Sequence, residues 1–182
     1  QDGPQLVRLF TQHAGVVARL EALIGEGDVL VLPTTPRIAP LKGTEHHALE
    51  VWDTAQRRRI HVLKGHSSYV RSVAVTPDGR LAVSSAGEPW FRLAENDRDR
   101  LRDICAVRVW DLKRGTCLGE LVGHTDTVHS VAVDNGGRIA VSGSDDHTVR
   151  VWALATMTEL NAFREHAGGV RAVAVTPDGC RA

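Results

Sequence analysis

The chain lacks an excess of charge of either sign. Its 182 residues contain 22 Lys and Arg against 22 Asp and Glu, so the formal net charge is zero. Binding to nucleic acid or to an anionic membrane surface draws on a surplus of Lys and Arg. The composition therefore argues against both as general partners and leaves room only for a local basic patch. The run of three arginines at 57–59 is short and is expected at a hairpin turn, as a solvated edge.

Cysteine patterns typical of metal sites or disulfide frameworks are also missing. Cys105, Cys117 and Cys180 stand far apart, and no CxxC pair occurs. An odd number of separated cysteines favours free thiols in a reducing compartment, which predicts a cytoplasmic location. No apolar run approaches the roughly 20 residues that a membrane-spanning helix needs.

Cofactor and metal motifs are not found either. No P-loop or kinase motif occurs, and no cofactor is expected. His46 and His47 have no Cys or acidic pair at ligand spacing, so a surface loop is favoured over a metal site.

The chain does contain an internal repeat. Four segments align on a histidine, and each histidine is followed four residues later by valine. Three of these segments continue as an alternating run of the type "VHSVAV", which is typical of a strand with two distinct faces. The aligned histidines are His13, His66, His124 and His166.

Each repeat unit is predicted to form four short antiparallel strands. The turn "TPDG" occurs at 76–79 and 176–179, and "DNGG" occurs at 134–137; such sequences tolerate the positive φ of tight hairpin turns. A second strand, a third strand ending in Trp (49–53, 107–111 and 149–153) and a fourth strand follow. The repeat period is 42 residues, both from His124 to His166 and from Trp110 to Trp152.

This period, with Gly-His early and Trp-Asp late, resembles the WD-repeat β-propeller family. The segment "TPDGRLAVS" at 76–84 is most similar to the sequences of prokaryotic members. The resemblance implies an all-β fold: an incomplete β-propeller of four-stranded antiparallel blades, with about three blades plus partial edge blades, as a fragment of a longer signalling protein. The expected units are 1–12 (outer strand of a preceding blade), 13–63 (a degenerate blade with a long loop at 33–48), 64–122 (a blade with an insertion at 88–104), 123–163 (a regular blade) and 164–182 (the start of a truncated blade).

The resemblance also implies a buried network of loop His, strand-two Ser, turn Asp and strand-three Trp, which holds the loops at one end of a blade. The third repeat supplies His124, Ser142, Asp146 and Trp152. In the second repeat His66, Ser84 and Trp110 match, but Ile104 occupies the Asp position and Asp103 is the candidate substitute. The first repeat keeps His13 and Trp52, places His46 at the Asp position and has no clear Ser.

The same residue types could form a hydrolase triad. Such a triad needs the Ser oxygen beside an oxyanion-binding nest in an open pocket, and no Gly-x-Ser-x-Gly elbow occurs. We therefore expect no catalytic residues and no enzyme, with a channel-type propeller enzyme as the weaker alternative.

Partner contacts in this family often use residues three and five positions after the loop His. These positions and two neighbours suit a protein or peptide partner, and an acidic one fits their mild positive charge; a solvated rim and a Trp90 folded onto its own blade are the alternatives. The expected function is a protein-interaction scaffold or sensor binding on the His-loop face, with a purely structural spacer as the alternative. Further partners would be more blades of the same parent chain or another copy; nucleic acid and membrane are not expected. The candidate contact residues are Tyr69, Arg71, Trp90, Thr127, His129, Asp145 and Arg171.

Overall fold

A computed structural model describes residues 48–53, 56–87 and 104–182, together with the backbone of residues 29–33. Every element in these residues longer than a single turn is a β-strand. The strands are β1 (Val29–Pro33), β2 (Leu49–Asp53), β3 (Arg58–Leu63), β4 (Val70–Val75), β5 (Leu81–Ala86), β6 (Val107–Asp111), β7 (Thr116–Leu121), β8 (Val128–Val133), β9 (Ile139–Ser144), β10 (Val149–Ala153) and β11 (Thr158–Phe163).

The strands form three antiparallel sheets of sequential neighbours. β4 to β7 form one four-stranded sheet and β8 to β11 another, whereas β1, β2 and β3 form a three-stranded sheet. We call these blades 2, 3 and 1, in that order. The fold is all-β, and its four-stranded antiparallel blades are those of an incomplete β-propeller, as the sequence pattern predicts.

In blades 2 and 3, the turn between the first two strands is closed by its own polar side chains. In "TPDG", Thr76 Oγ1 donates to Asp78 at 2.6 Å and accepts the N–H of Leu81 at 3.0 Å. In "DNGG", one oxygen of Asp134 accepts the N–H groups of Arg138 and Ile139 at 2.7 and 2.9 Å. Asp134 stands at the position of Thr76, and its single carboxylate closes the turn that Thr76 and Asp78 close together in blade 2.

Two expected element boundaries differ from the structure. The predicted loop 33–48 begins inside a strand, because Pro33 pairs with Leu49 at the end of β1. The run "VRAVAV" at 170–175 is not assigned as a strand. A strand requires a partner, and across the turn of this segment the backbone bonds join Thr176 with Arg181 and with Gly179.

The hydrophobic core lies between neighbouring blades. Trp110 of blade 2 packs in one cluster with Leu49, Val51 and Leu63 of blade 1. Trp152 of blade 3 packs in the same way on blade 2. β6, the third strand of blade 2, is thus covered on both faces and is buried over its whole length. Coverage from both sides explains why Val109 and Trp110 are both apolar at adjacent positions.

The outer strand of each blade carries a β-bulge at the same register. In blade 2, Val109 pairs with Gly119 and Trp110 with Cys117, so Leu118 has no opposite residue. Ile60 in β3 and Leu160 in β11 occupy the same position. A bulge re-aims the inserted side chain, and all three side chains are exposed.

In the described part of the chain, no helix has the length and apolar character that a bilayer crossing requires.

Candidate functional site

A hydrogen-bonded chain of four side chains closes one end of blade 3. His124 lies in the loop that enters β8, and its Nδ1 is 2.8 Å from Asp146 Oδ2. Its Nε2 is 2.7 Å from Ser142 Oγ in β9. The same Oγ accepts the indole N–H of Trp152 in β10 at 2.8 Å. The structure therefore brings together all four residues of the network implied for the third repeat.

The proton positions follow from the donor inventory. The indole N–H of Trp152 can only donate, and an ionised Asp146 can only accept. His124 therefore carries a proton on Nδ1 and donates it to Asp146, while its Nε2 shares a hydrogen bond with the Ser142 hydroxyl. Every member of the chain is then satisfied, which is the condition for burying such a network without a large cost.

Asp146 is the anchor of this network. Burial alone would raise the pKa of its carboxyl. Hydrogen bonds from His124, Thr148 and the backbone N–H of Thr125 outweigh burial and hold the pKa of Asp146 well below its ordinary value of 3.8. The carboxylate thus stays ionised and ties the His loop to the turn between β9 and β10.

This geometry does not suit nucleophilic catalysis. Ser142 is 0% exposed, so its Oγ meets no substrate from solvent. That oxygen is also committed to both Trp152 and His124. A nucleophilic oxygen needs space beside it for the substrate, and here the indole N–H of Trp152 occupies that side of Ser142 Oγ.

Blade 2 has a shorter version of the network. His66 Nε2 lies 2.6 Å from Ser84 Oγ, and Trp110 donates to the same oxygen at 2.7 Å. Ile104 stands at the Asp position and is 3% exposed, so a carboxylate is replaced there by an apolar contact. The candidate substitute Asp103 lies outside the described residues.

Blade 1 satisfies its tryptophan differently. The backbone register places Leu32 opposite Glu50. In blade 3 the corresponding residue is Ser142, opposite Arg150. Trp52 has no serine to bond, and its indole N–H donates to the Glu50 carboxylate at 3.1 Å. His13 and His46, assigned to this blade from sequence, lie outside the described residues.

The predicted partner-contact residues are not equally available. We call the end of the blades that carries the loops 64–69 and 122–127 the His-loop face. Tyr69 and Arg71 are half-buried there, and Arg71 Nε donates to the carbonyl of Gly87 at 3.0 Å. Thr127 is 1% exposed, so it offers no surface to a partner. Blades 2 and 3 approach each other closely at this point, because a Cβ added to Gly87 would lie 2.6 Å from the Thr127 backbone.

The remaining contact residues form one cluster across two segments. His129 Nε2 is 2.7 Å from Asp145, and Arg171 of the following segment is 3.1 Å from the other oxygen of that carboxylate. Arg171 Nη1 also lies 2.9 Å from His129 Nε2. The side chain of Arg171 is 69% exposed, so this cluster presents polar groups at the surface.

Two further sequence expectations fall on undescribed or exposed residues. Trp90 and the insertion up to residue 103 lie outside the described residues. His166 is exposed and takes part in no network of the kind formed by His124. In the part of the chain that the structure describes, no group of three or more His, Cys, Asp or Glu side chains could hold a metal ion.

Sequence reasoning missed a second polar pair in blades 2 and 3. Arg108 in β6 is buried and forms an ion pair with Glu120 in β7 at 2.6 Å; Arg150 pairs with Glu159 in blade 3. A Cβ on Gly65, the residue before His66, would come within 2.7 Å of the Arg108 guanidinium. The available signal was the repeated Arg two residues before Trp, together with the glycine before each well-formed His.

Comparison with known proteins agrees with this geometry. The model of the family "WD domain, G-beta repeat" matches residues 57–88 and 115–153. Residues 57–88 contain the outer strand of blade 1 and the first two strands of blade 2. Residues 115–153 contain the outer strand of blade 2 and the first three strands of blade 3. These two segments of the chain are therefore similar to WD40 repeats.

The curated relatives include WD-repeat proteins of several kinds. The chain is similar to nuclear distribution protein PAC1 of Arthroderma otae (26% identity, 59% of this chain and 34% of the relative). It is similar to WD repeat-containing protein pop1 of Schizosaccharomyces pombe (28%, 94% and 24%). It is also similar to WD repeat-containing protein 37 of Mus musculus (33%, 80% and 24%). The chain spans about a quarter to a third of the length of these relatives.

Proposed function

We propose that this chain is a protein-interaction scaffold whose His-loop face binds a protein or peptide partner in the cytoplasm, as part of a larger signalling protein. WD40 domains typically bind other proteins, and two segments of this chain are similar to WD40 repeats. We also propose that the protein is prokaryotic, because the segment "TPDGRLAVS" at 76–84 is most similar to prokaryotic members of the family.

One observation carries this proposal: a rigid base lies directly beneath an exposed polar cluster. The network of His124 and Asp146 fixes the loop and the turn at one end of blade 3. Asp145 directly precedes Asp146 in that turn and contacts His129 and Arg171, of which Arg171 is exposed at the surface. Loops held on a rigid scaffold commonly carry binding function, because little ordering entropy is lost when they bind.

The charges of the His-loop face determine which kind of partner it can bind. Arg71 and Arg171 favour carboxylates, but Asp145 already neutralises Arg171. An acidic partner must therefore replace Asp145 in that ion pair or reach Arg171 from its exposed side. Rim contacts of this kind set association rate and specificity more than total affinity.

A photo-crosslinking experiment tests which face is used. A benzophenone amino acid replaces Thr125, which is exposed in the His loop; the matched control replaces Asn135, which is exposed in the turn at the opposite end of the same blade. We expect a discrete crosslinked protein from position 125 and none from position 135, and we expect Arg71→Glu with Arg171→Glu to remove it while the melting temperature holds. Equal crosslinking from both positions, or no effect of the two charge reversals, would remove this face as the binding site and favour a spacer role.

A further inference from the structure

The exposed large hydrophobic residues in the described part of the chain share one location. All five lie on an outer strand or directly after one. Three of them are bulge residues at the same register of three successive blades, with exposed fractions of 37% for Ile60, 48% for Leu118 and 57% for Leu160. The remaining two are Val122 and Phe163.

Basic residues lie at the hairpins that lead into the bulged strands of blades 1 and 2. Arg57 and Arg58 lie at the start of β3, and Lys113 and Arg114 lie in the turn before β7; all four are exposed. The corresponding turn of blade 3, residues 153–158, has no charged residue. Blade 3 therefore presents the same bulge without the charge.

The turn of blade 2 lies directly against the outer strand of blade 1. His61 Nε2 is 3.3 Å from the carbonyl of Lys113. A Cβ on Gly115 would come within 2.6 Å of the His61 ring. Since Ile60 precedes His61, this contact places the basic turn of blade 2 against the part of β3 that contains Ile60. We call Arg57, Arg58, Ile60, Lys113 and Arg114 the rim patch.

The rim patch keeps positive charge after its internal ion pairs are counted. Asp111 holds Arg114 at 2.7 Å, and Glu50 holds the neighbouring Arg59 at 2.7 Å. No carboxylate among the described residues forms an ion pair with Arg57 or Lys113, and Arg58 donates to the amide oxygen of Gln56. Asp53 also lies opposite Arg58 in the strand register, so the five cations Arg57, Arg58, Arg59, Lys113 and Arg114 face the three carboxylates of Glu50, Asp53 and Asp111; a net positive edge thus adjoins an exposed aliphatic side chain.

We propose that the rim patch is a second docking surface, separate from the His-loop face, for an acidic protein segment that carries an aliphatic side chain between carboxylates. The segment's carboxylates contact Arg57, Arg58 and Lys113, and its aliphatic side chain packs on Ile60. Charge complementarity selects this occupant. Nucleic acid fits less well, because a phosphate backbone offers nothing to Ile60 and gains its affinity from many more cations. β3 is also the edge strand of its described sheet, a position at which extended segments bind.

The test uses the full chain and a fluorescein-labelled peptide of repeating Glu-Glu-Leu units, read by fluorescence anisotropy at low salt. We expect saturable binding that weakens as salt rises, because contacts between exposed charges are screened within about 10 Å at 0.1 M. Arg58→Glu with Lys113→Glu should raise the Kd at least about ten-fold, which is 1.4 kcal/mol. Ile60→Ser should raise it by about five-fold through lost apolar burial.

Two matched controls separate this surface from its alternatives. Leu160→Ser removes the same bulge side chain in blade 3, where the turn is uncharged, and should leave the Kd unchanged. Arg171→Glu alters the His-loop face and should also leave it unchanged, so failure of the rim patch is distinguishable from failure of the proposed function. Circular dichroism confirms that each variant is folded.

Several results would overturn the proposal. These are absence of peptide binding, equal weakening by Leu160→Ser and Ile60→Ser, or loss of binding in Arg171→Glu alone. Tighter binding to phosphatidylserine vesicles or to a duplex oligonucleotide than to the peptide would replace the acidic segment with those ligands.

Discussion

Replacing Ser142 by alanine is the sharpest perturbation of the buried network. The substitution removes the hydroxyl that accepts the Trp152 N–H at 2.8 Å and contacts His124 Nε2 at 2.7 Å. Both partner residues are buried, so neither polar atom gains water in exchange. A buried polar group left unsatisfied costs about 1–3 kcal/mol. Two such groups lead us to expect a loss of about 2–5 kcal/mol in the free energy of unfolding.

Urea denaturation followed by tryptophan fluorescence and circular dichroism measures this loss. Ser84→Ala should cost a similar amount, because Ser84 has the same two kinds of partner in blade 2. Thr156→Ala is the control: its exposed hydroxyl pairs only with the hydroxyl of Thr158, and its effect should stay within about 0.5 kcal/mol.

A double-mutant cycle isolates the hydrogen bond itself. Trp152→Phe removes the indole donor while keeping an aromatic ring, so combining it with Ser142→Ala should cost less than the sum of the two single changes. Additive single effects, or a Ser142→Ala variant as stable as Thr156→Ala, would refute the network as a source of stability. Hydrolysis of a model ester that disappears in folded Ser142→Ala would refute the structural interpretation altogether.

Three further predictions concern pH, packing and thiol reactivity. The pKa of Asp146 is lowered in the folded state, so the ionised carboxylate stabilises the fold fully above about pH 4, and this contribution is lost as pH falls below that value. The free energy of unfolding, measured from pH 6 to pH 2, should therefore fall less steeply in Asp146→Asn than in the wild type. Gly87→Ala should cost about 1–3 kcal/mol, because its Cβ meets the backbone of the neighbouring blade, whereas Gly168→Ala, with open space around it, should be nearly neutral in the same melts. Burial raises the pKa of Cys105 to about 12, so iodoacetamide at pH 8 should modify the two exposed cysteines of the native chain and reach Cys105 only after urea is added; early modification of all three would contradict this.

Contacts within a blade could be predicted from the sequence to a large extent. The third strands, 49–53, 107–111 and 149–153, have the bounds that the Trp-terminated runs indicate. The members of the blade 3 network also follow from the repeat, although the sequence alone supplies them only through resemblance. These features are local: alternation, turn residues and a fixed spacing operate between residues that are close along the chain.

Contacts between blades could not be predicted in the same way. Thr127 occupies a position that often contacts partners, yet it is buried, because the adjacent blade offers a glycine there. Leu32 replaces the network serine in blade 1, and only the strand register identifies it. The substitution becomes tolerable because Glu50 supplies the acceptor that Trp52 needs.

The amino-acid sequence by itself therefore determined the four-stranded unit, its period and the polar residues that close each unit. The tertiary structure alone decided which of the predicted contact residues reach the surface, how Arg171 is neutralised by Asp145 and how the basic turn of blade 2 lies against β3. The physical reason is separation along the chain. Strand alternation is imposed on every residue by the backbone, whereas packing between neighbouring units joins residues far apart along the chain: Arg171 contacts His129 across 42 residues, and His61 contacts Lys113 across 52.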